Sequence, residues 1–126
     1  MACTVVVCGF FGDTGKGKVI SYLALKDRIA VAARAGGGTN AGHTVVHGGR
    51  EYKLRMMPSA FVYEGCRLLM GPGVLINPEV LLKEAQLTGA EKRLGVDPQC
   101  AIIEAKHIEA DREAHLAKEI GSTGSG

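Results

Sequence analysis

Residues 9–18 read GFFGDTGKGK and place one carboxylate, Asp13, and two lysines, Lys16 and Lys18, among four glycines. The spacing nearly reproduces the phosphate-binding pattern G-x-x-x-x-G-K-[ST] and departs from it twice. Five residues rather than four separate Gly9 from Gly15-Lys16, and Gly17 stands where the pattern puts a hydroxyl. Glycines at 12, 15 and 17 would let backbone N–H groups approach phosphate oxygens, and Lys16 would add a point charge. Without the hydroxyl, a divalent cation needs another oxygen ligand, and Asp13 is the only acidic side chain in the loop. A carboxylate there repels an anion unless a cation lies between them or the carboxylate takes a proton from a substrate. The plainer alternative is a glycine-rich turn with Asp13 exposed.

A second cluster, GGGTNAGHT at 36–44, sets Asn40 and His43 three residues apart in a segment with four glycines. A histidine there could donate to negative charge developing on a phosphate or carbonyl oxygen. An isolated histidine is more often structural or solvated. That plainer reading is applied to His47, ahead of a Gly-Gly turn, and to His107 and His115 near a late helix.

Elements must hold these loops in place. The apolar, β-branched run at 3–9, CTVVVCG, predicts a strand buried on both faces. The loop then opens a helix through residues 18–27, with Val19, Ile20, Leu23 and Leu25 as its apolar positions. Residues 29–34 predict a second strand, and Gly48-Gly49 lies between two strand-like halves as in a hairpin. Another short strand falls in 66–76. Asn77 then caps a helix with Pro78 at its first position, running through 79–87. A strand at 100–105 and an amphipathic helix to about residue 118 complete the described pattern. Strands alternating with loops and helices imply an α/β domain with a mostly parallel central sheet.

Composition narrows the class. The chain has 126 residues, one domain's worth, with 46% apolar and 22% charged residues. A formal net charge of +2, with basic residues scattered, gives no footprint for nucleic acid or a membrane surface. No stretch has the length of an apolar membrane span, and no secretory leader is legible, so a cytoplasmic location is expected. The four cysteines, at 3, 8, 66 and 100, make no metal-type pair and are expected to be small buried apolar groups. The ending IGSTGSG is a loop with nothing after it, expected to be a cut or a flexible tail.

The two loops together resemble the adenylosuccinate synthetase family, whose patterns QWGDEGKGK and NAGHT are similar to GDTGKGK and NAGHT here. The resemblance continues through MPSAF, GPGVLINPEVLLKE and IGSTGSG, in order along nearly the whole chain, and is nearest to the shorter archaeal members. It implies a phosphate-loop-like three-layer α/β domain, of which residues 1–126 are the N-terminal part. The implied activity is GTP-dependent ligation of inosine monophosphate and L-aspartate to adenylosuccinate in purine synthesis, through a 6-phosphoryl intermediate. By the same resemblance Asp13 is the general base at N1 of inosine monophosphate and a Mg²⁺ ligand, and His43 stabilises the transferring phosphoryl group. Gly12, Gly15, Lys16, Gly17 and Lys18 hold the GTP phosphates, Lys16 among the catalytic groups. Asn40, Ala41 and Thr123 contact the monophosphate, and Gly42 offers its carbonyl to Mg²⁺. The family context also implies a homodimer.

The sequence departs from the family pattern at three places: Phe10-Phe11 for Gln-Trp, Thr14 for a glutamate and Ser122 for a threonine. The family's guanine-selecting motif and aspartate-binding arginine loop lie further along than this sequence reaches. Alternatives of another class are therefore a nucleotide- or phosphate-binding module without turnover, or a part that needs the remaining sequence in trans. A phage-type synthetase acting on a deoxyguanylate is ranked below these, because Asp13 suits a substrate with inosine's N1 proton.

Overall fold

The computed structural model describes residues 2–9 and 14–113. Its central sheet is three-stranded and wholly parallel, in the order β1 (Val31–Arg34), β4 (Arg67–Met70), β6 (Leu94–Val96). Between β1 and β4 the chain makes an antiparallel hairpin of β2 (His43–His47) and β3 (Arg50–Leu54), then a 3-10 turn at Ser59–Val62. Gly48 and Gly49, at φ 58° and 76°, form the hairpin turn, whose two positive φ values other residues adopt only at a cost. A short parallel pair, β5 (Leu75–Ile76) with β7 (Ala101–Ile102), follows β4 and β6.

Helix α1 (Lys16–Asp27) leads into β1, α2 (Pro78–Thr88) crosses between β4 and β6, and α3 (Ala105–Glu113) follows β7. The ends of α2 are those expected: Asn77 Oδ1 accepts the Val80 N–H at 3.2 Å, Pro78 opens the first turn, and Gly89 closes the helix at φ 62°. The mostly parallel α/β arrangement is thus the observed one.

The core gathers Leu54, Met56, Met57, Leu68, Met70 and Val74, all essentially inaccessible to solvent. The T-shaped pair Tyr52–Phe61, with centroids 4.9 Å apart, closes one side. Arg93 ties the sheet to the preceding turn by donating to the carbonyls of Phe61, Tyr63 and Cys66 at 2.9–3.1 Å.

Three expectations need correcting. The segment at 3–9 forms no strand: residues 2–8 are irregular, and Val5 and Val7 are 76% and 77% exposed. A β-branched run becomes a strand only where a neighbouring strand and a packed face receive it. Helix α1 does not bury Val19 or Leu25, which are both 46% exposed; its inner stripe is Gly17, Ile20 and Ala24, at spacings of three and four. Of the cysteines, Cys66 is buried and Cys100 half-buried, donating to Gly71 O at 3.2 Å, while Cys3 is exposed. Burial pushes the Cys66 thiol pKa up, which suits an inert packing role.

Candidate active site

The opening of α1 is a helix N-terminus that no described side chain caps. Gly15 takes a left-handed conformation at φ 75° and its carbonyl accepts from Lys18 N and Val19 N at 3.0 and 3.1 Å. No acidic residue lies in this turn, so among the described residues nothing competes with an anion for its first N–H groups and the helix dipole. Lys16 is half-buried there and Lys18 exposed.

Gly17 joins this turn to the second loop. A Cβ placed on it would lie 2.9 Å from His43 Cβ and 3.0 Å from Ser59 Oγ. The first turn of α1 therefore rests on the start of β2 and on the 3-10 turn, bringing Lys16–Lys18 and His43 into one place. Asn40, Ala41 and Gly42 lead into His43 as exposed loop, above the buried Gly38 and Thr39. Asp13, Gly12 and Thr123 lie outside the described residues, as do Ser122 and His115.

His43 is half-buried, and its Nε2 lies 2.8 Å from the Met57 carbonyl oxygen. A carbonyl only accepts, so Nε2 carries a proton in that bond and the neutral ring keeps its lone pair on Nδ1. Burial, chiefly, holds the His43 pKa below the usual histidine value; the nearby Arg34 charge acts the same way, while the Met57 bond and Glu84 act against it.

Two residues that the sequence did not single out hold this arrangement together. Arg34, at the end of β1, donates from Nε to Gly36 O at 3.2 Å and from Nη2 to Gly38 O at 2.6 Å. Its Nη1 donates to the carbonyls of Arg55 and Met56. Glu84 on α2 is 7% exposed, and its carboxylate accepts the N–H groups of Arg55, Met56 and Met57 at 2.6, 2.9 and 2.7 Å. Their only sequence signal is a charge set within an apolar run, IAVAAR or EVLLKEAQL, which reads equally well as a solvated face.

The other described histidines, His47 and His107, have plain settings. His47 is exposed, and exposed His107 accepts the Glu104 N–H on Nδ1 at the start of α3. Two open hollows of ≈ 400 and ≈ 520 Å³ share no residue with the loops described. The first is lined by Glu64, Arg67 and Lys92, the second by His47, Tyr52 and Phe61, among others.

The adenylosuccinate synthetase family model matches residues 5–126. This chain belongs to the adenylosuccinate synthetase family. Adenylosuccinate synthetases of Archaeoglobus fulgidus and Methanocaldococcus jannaschii are 53% and 52% identical to it, with all of this chain aligned. It spans 38% of the length of each. Among solved structures, the fully ligated adenylosuccinate synthetase of Plasmodium falciparum superposes with a TM-score of 0.78 at 28% identity, over 91% of this chain and 29% of that one. A cyanophage S-2L succinoaminodeoxyadenylate synthetase, bound to dGMP and dATP, gives 0.71 at 28% identity, over 85% and 31%. The family is one of ligases that act on small molecules and use GTP. No described helix is long and apolar enough to cross a membrane.

Proposed function

We propose that this chain carries the phosphoryl-transfer centre of an adenylosuccinate synthetase, which joins inosine monophosphate and L-aspartate at the expense of GTP. The carrying observation is the contact of Gly17 with His43, which sets a lysine-bearing helix N-terminus against a histidine loop. In this reading Gly12, Gly15, Lys16, Gly17 and Lys18 bind the GTP phosphates through backbone N–H groups and ammonium charge. Asn40, Ala41 and Thr123 contact the monophosphate. Asp13 takes the N1 proton, which makes the 6-oxygen the nucleophile that displaces GDP from the γ-phosphate; the aspartate nitrogen then attacks C6, and the C6–O bond breaks with inorganic phosphate leaving.

His43 stabilises the transferring phosphoryl, with a condition set by its hydrogen bond. Since Nε2 is committed to Met57, Nδ1 donates only when the ring is an imidazolium. Burial disfavours that form in the free protein, whereas an adjacent phosphate would favour it.

The residues suit Mg²⁺ by donor type. Among the described residues no three His, Cys, Asp or Glu side chains cluster as a metal site. Mg²⁺ needs no such cluster, being held by one or two carboxylates with substrate phosphates and water. Asp13 and the Gly42 carbonyl are hard oxygen donors of that kind and would hold it, where it would neutralise phosphate charge. A cytoplasmic homodimer completes the reading, with no nucleic acid or membrane partner.

The test is adenylosuccinate formation from inosine monophosphate, GTP, L-aspartate and Mg²⁺, by this chain alone and joined to the remaining length of an archaeal relative. Asp13→Asn should lower turnover ~10²–10⁴-fold and spare GTP binding. Undiminished turnover in that variant would defeat the assignment. Ligand binding without turnover in both forms would favour a binding module instead. Guanine also carries an N1 proton, so Asp13 alone does not separate the phage-type substrate; dGMP in place of inosine monophosphate does.

A further inference from the structure

The peptide segment 55–57 is gripped from two sides by opposite charges. Its three N–H groups go to one carboxylate, Glu84, and two of its carbonyls go to one guanidinium, Arg34. The third carbonyl, that of Met57, is the one that meets His43. Met56 and Met57 are fully buried, so no water can replace a lost partner cheaply. The same guanidinium holds Gly36 and Gly38, at the base of the loop that ends in His43. Arg34 and Glu84 come from different elements, β1 and α2, and hold this segment between them while feeling one another's charge.

We propose that Glu84 and Arg34 are positioning residues for His43: by fixing peptides 55–57 they aim the Met57 carbonyl at Nε2, keep the proton on that nitrogen, and leave Nδ1 as the nitrogen offered to a ligand. Neither residue touches the reacting atoms in this arrangement. Each acts through a carbonyl that selects the tautomer and orientation of the ring, as outer partners do for histidines in metal sites. Sequence reading assigns them no such role, since Glu84 lies 41 positions beyond His43 (84 − 43).

The catalytic consequence rests on the function proposed above, but the structural claim has its own readout. Long-range ¹H–¹⁵N correlation spectra of histidine-labelled protein are recorded at about pH 8, where a free imidazole is neutral. His43 is assigned by its loss in His43→Gln. The parent should show His43 as the single Nε2–H tautomer; a dominant Nδ1–H form or a free mixture would overturn the proposal outright. Glu84→Gln keeps the shape but sets an amide N–H₂ against a backbone N–H, and should shift His43 towards a tautomer mixture with near-UV circular dichroism retained. Should that variant not fold, Arg34→Lys, which cannot bridge four carbonyls, takes its place with the same expectation. A purely structural role would lower the unfolding midpoint and leave His43 as one tautomer, and that result would refute positioning. In the active protein, kcat should fall by about 10²-fold, the scale of a misplaced catalytic group, with KM for GTP little changed. An unchanged kcat beside a changed tautomer would fault the role given to His43 in the reaction and leave the positioning claim intact.

Discussion

Substituting Gly17 by alanine tests whether the α1–His43 contact is what removes the side chain from this position. In an exposed helical turn the change should help, because alanine forms helix better than glycine by ~1 kcal/mol. Here the new methyl carbon would sit 2.9 Å from His43 Cβ and 3.0 Å from Ser59 Oγ. Carbon atoms pack at ~3.5–4.0 Å, so α1 and β2 must part by roughly 0.6 Å or more. Ser59 Oγ can rotate aside. His43 Cβ cannot, being attached to the backbone of β2, which is paired along its length with β3. Overpacking of this kind costs ~1–3 kcal/mol, which offsets the helix gain and leaves a net loss of up to about 2 kcal/mol. Urea unfolding followed by circular dichroism reads this as a lower midpoint at constant slope. Adding Ser59→Ala should return only the share due to the hydroxyl. A Gly17→Ala protein more stable than its parent, by the ~1 kcal/mol that helix propensity alone gives, refutes the reasoning, since it would mean that α1 does not rest on His43.

Two further outcomes follow from the structure. His43, held below its usual pKa mainly by burial, binds a proton less readily folded than unfolded, so stability should rise with pH across the interval between its folded value and the unfolded ~6.5. That stability is complete above the unfolded value and lost as pH falls below it; urea midpoints against pH should flatten in this interval in His43→Gln, and an unchanged profile would contradict it. Asn77→Ala removes the acceptor for Val80 N–H and should cost ~1 kcal/mol, seen as a lower thermal midpoint, whereas Asn77→Gly should cost only a few tenths.

Local chemistry was legible where it is self-sufficient. Gly48-Gly49 dictates its hairpin, and Asn77-Pro78 with Gly89 delimits α2, because each signal acts within a few residues. The loops at 36–44 and around Gly15–Lys18 were likewise legible as glycine-rich loops, and the structure brings them together at Gly17 and His43. What failed depended on partners far along the chain. The run at 3–9 has the right residues for a strand but pairs with none of the described strands, so Val5 and Val7 stay exposed. Strand β6 is three residues long, and Gly95 at its centre gives no apolar alternation to read. Helix α1 hides its face in Gly17 and Ala24, which contribute little to any apolar pattern. Glu84 was invisible for the same reason: a carboxylate beside Lys83 on a helix reads as solvated until the three N–H groups it serves are seen.

The departure of the opening loop from the usual phosphate pattern now has two separable causes. The first is chemical and remains a proposal, in which Asp13 supplies the oxygen that a terminal hydroxyl would give. The second is steric, and the geometry carries it: at position 17 even a methyl group would collide with the backbone-fixed Cβ of the histidine. A serine would add its hydroxyl only by pushing α1 off β2, separating the lysine-bearing turn from the residue it is set against. The two causes reinforce one another. Close docking of α1 on His43 excludes a side chain at 17, and any metal ligand must then come from another part of the loop, where Asp13 is the one carboxylate the sequence provides. A Gly17→Ser variant should therefore lose stability as Gly17→Ala does and gain no affinity for Mg²⁺–GTP. Tighter Mg²⁺–GTP binding by that variant, measured by calorimetry, would show that the hydroxyl can be accommodated and that sterics do not explain its absence.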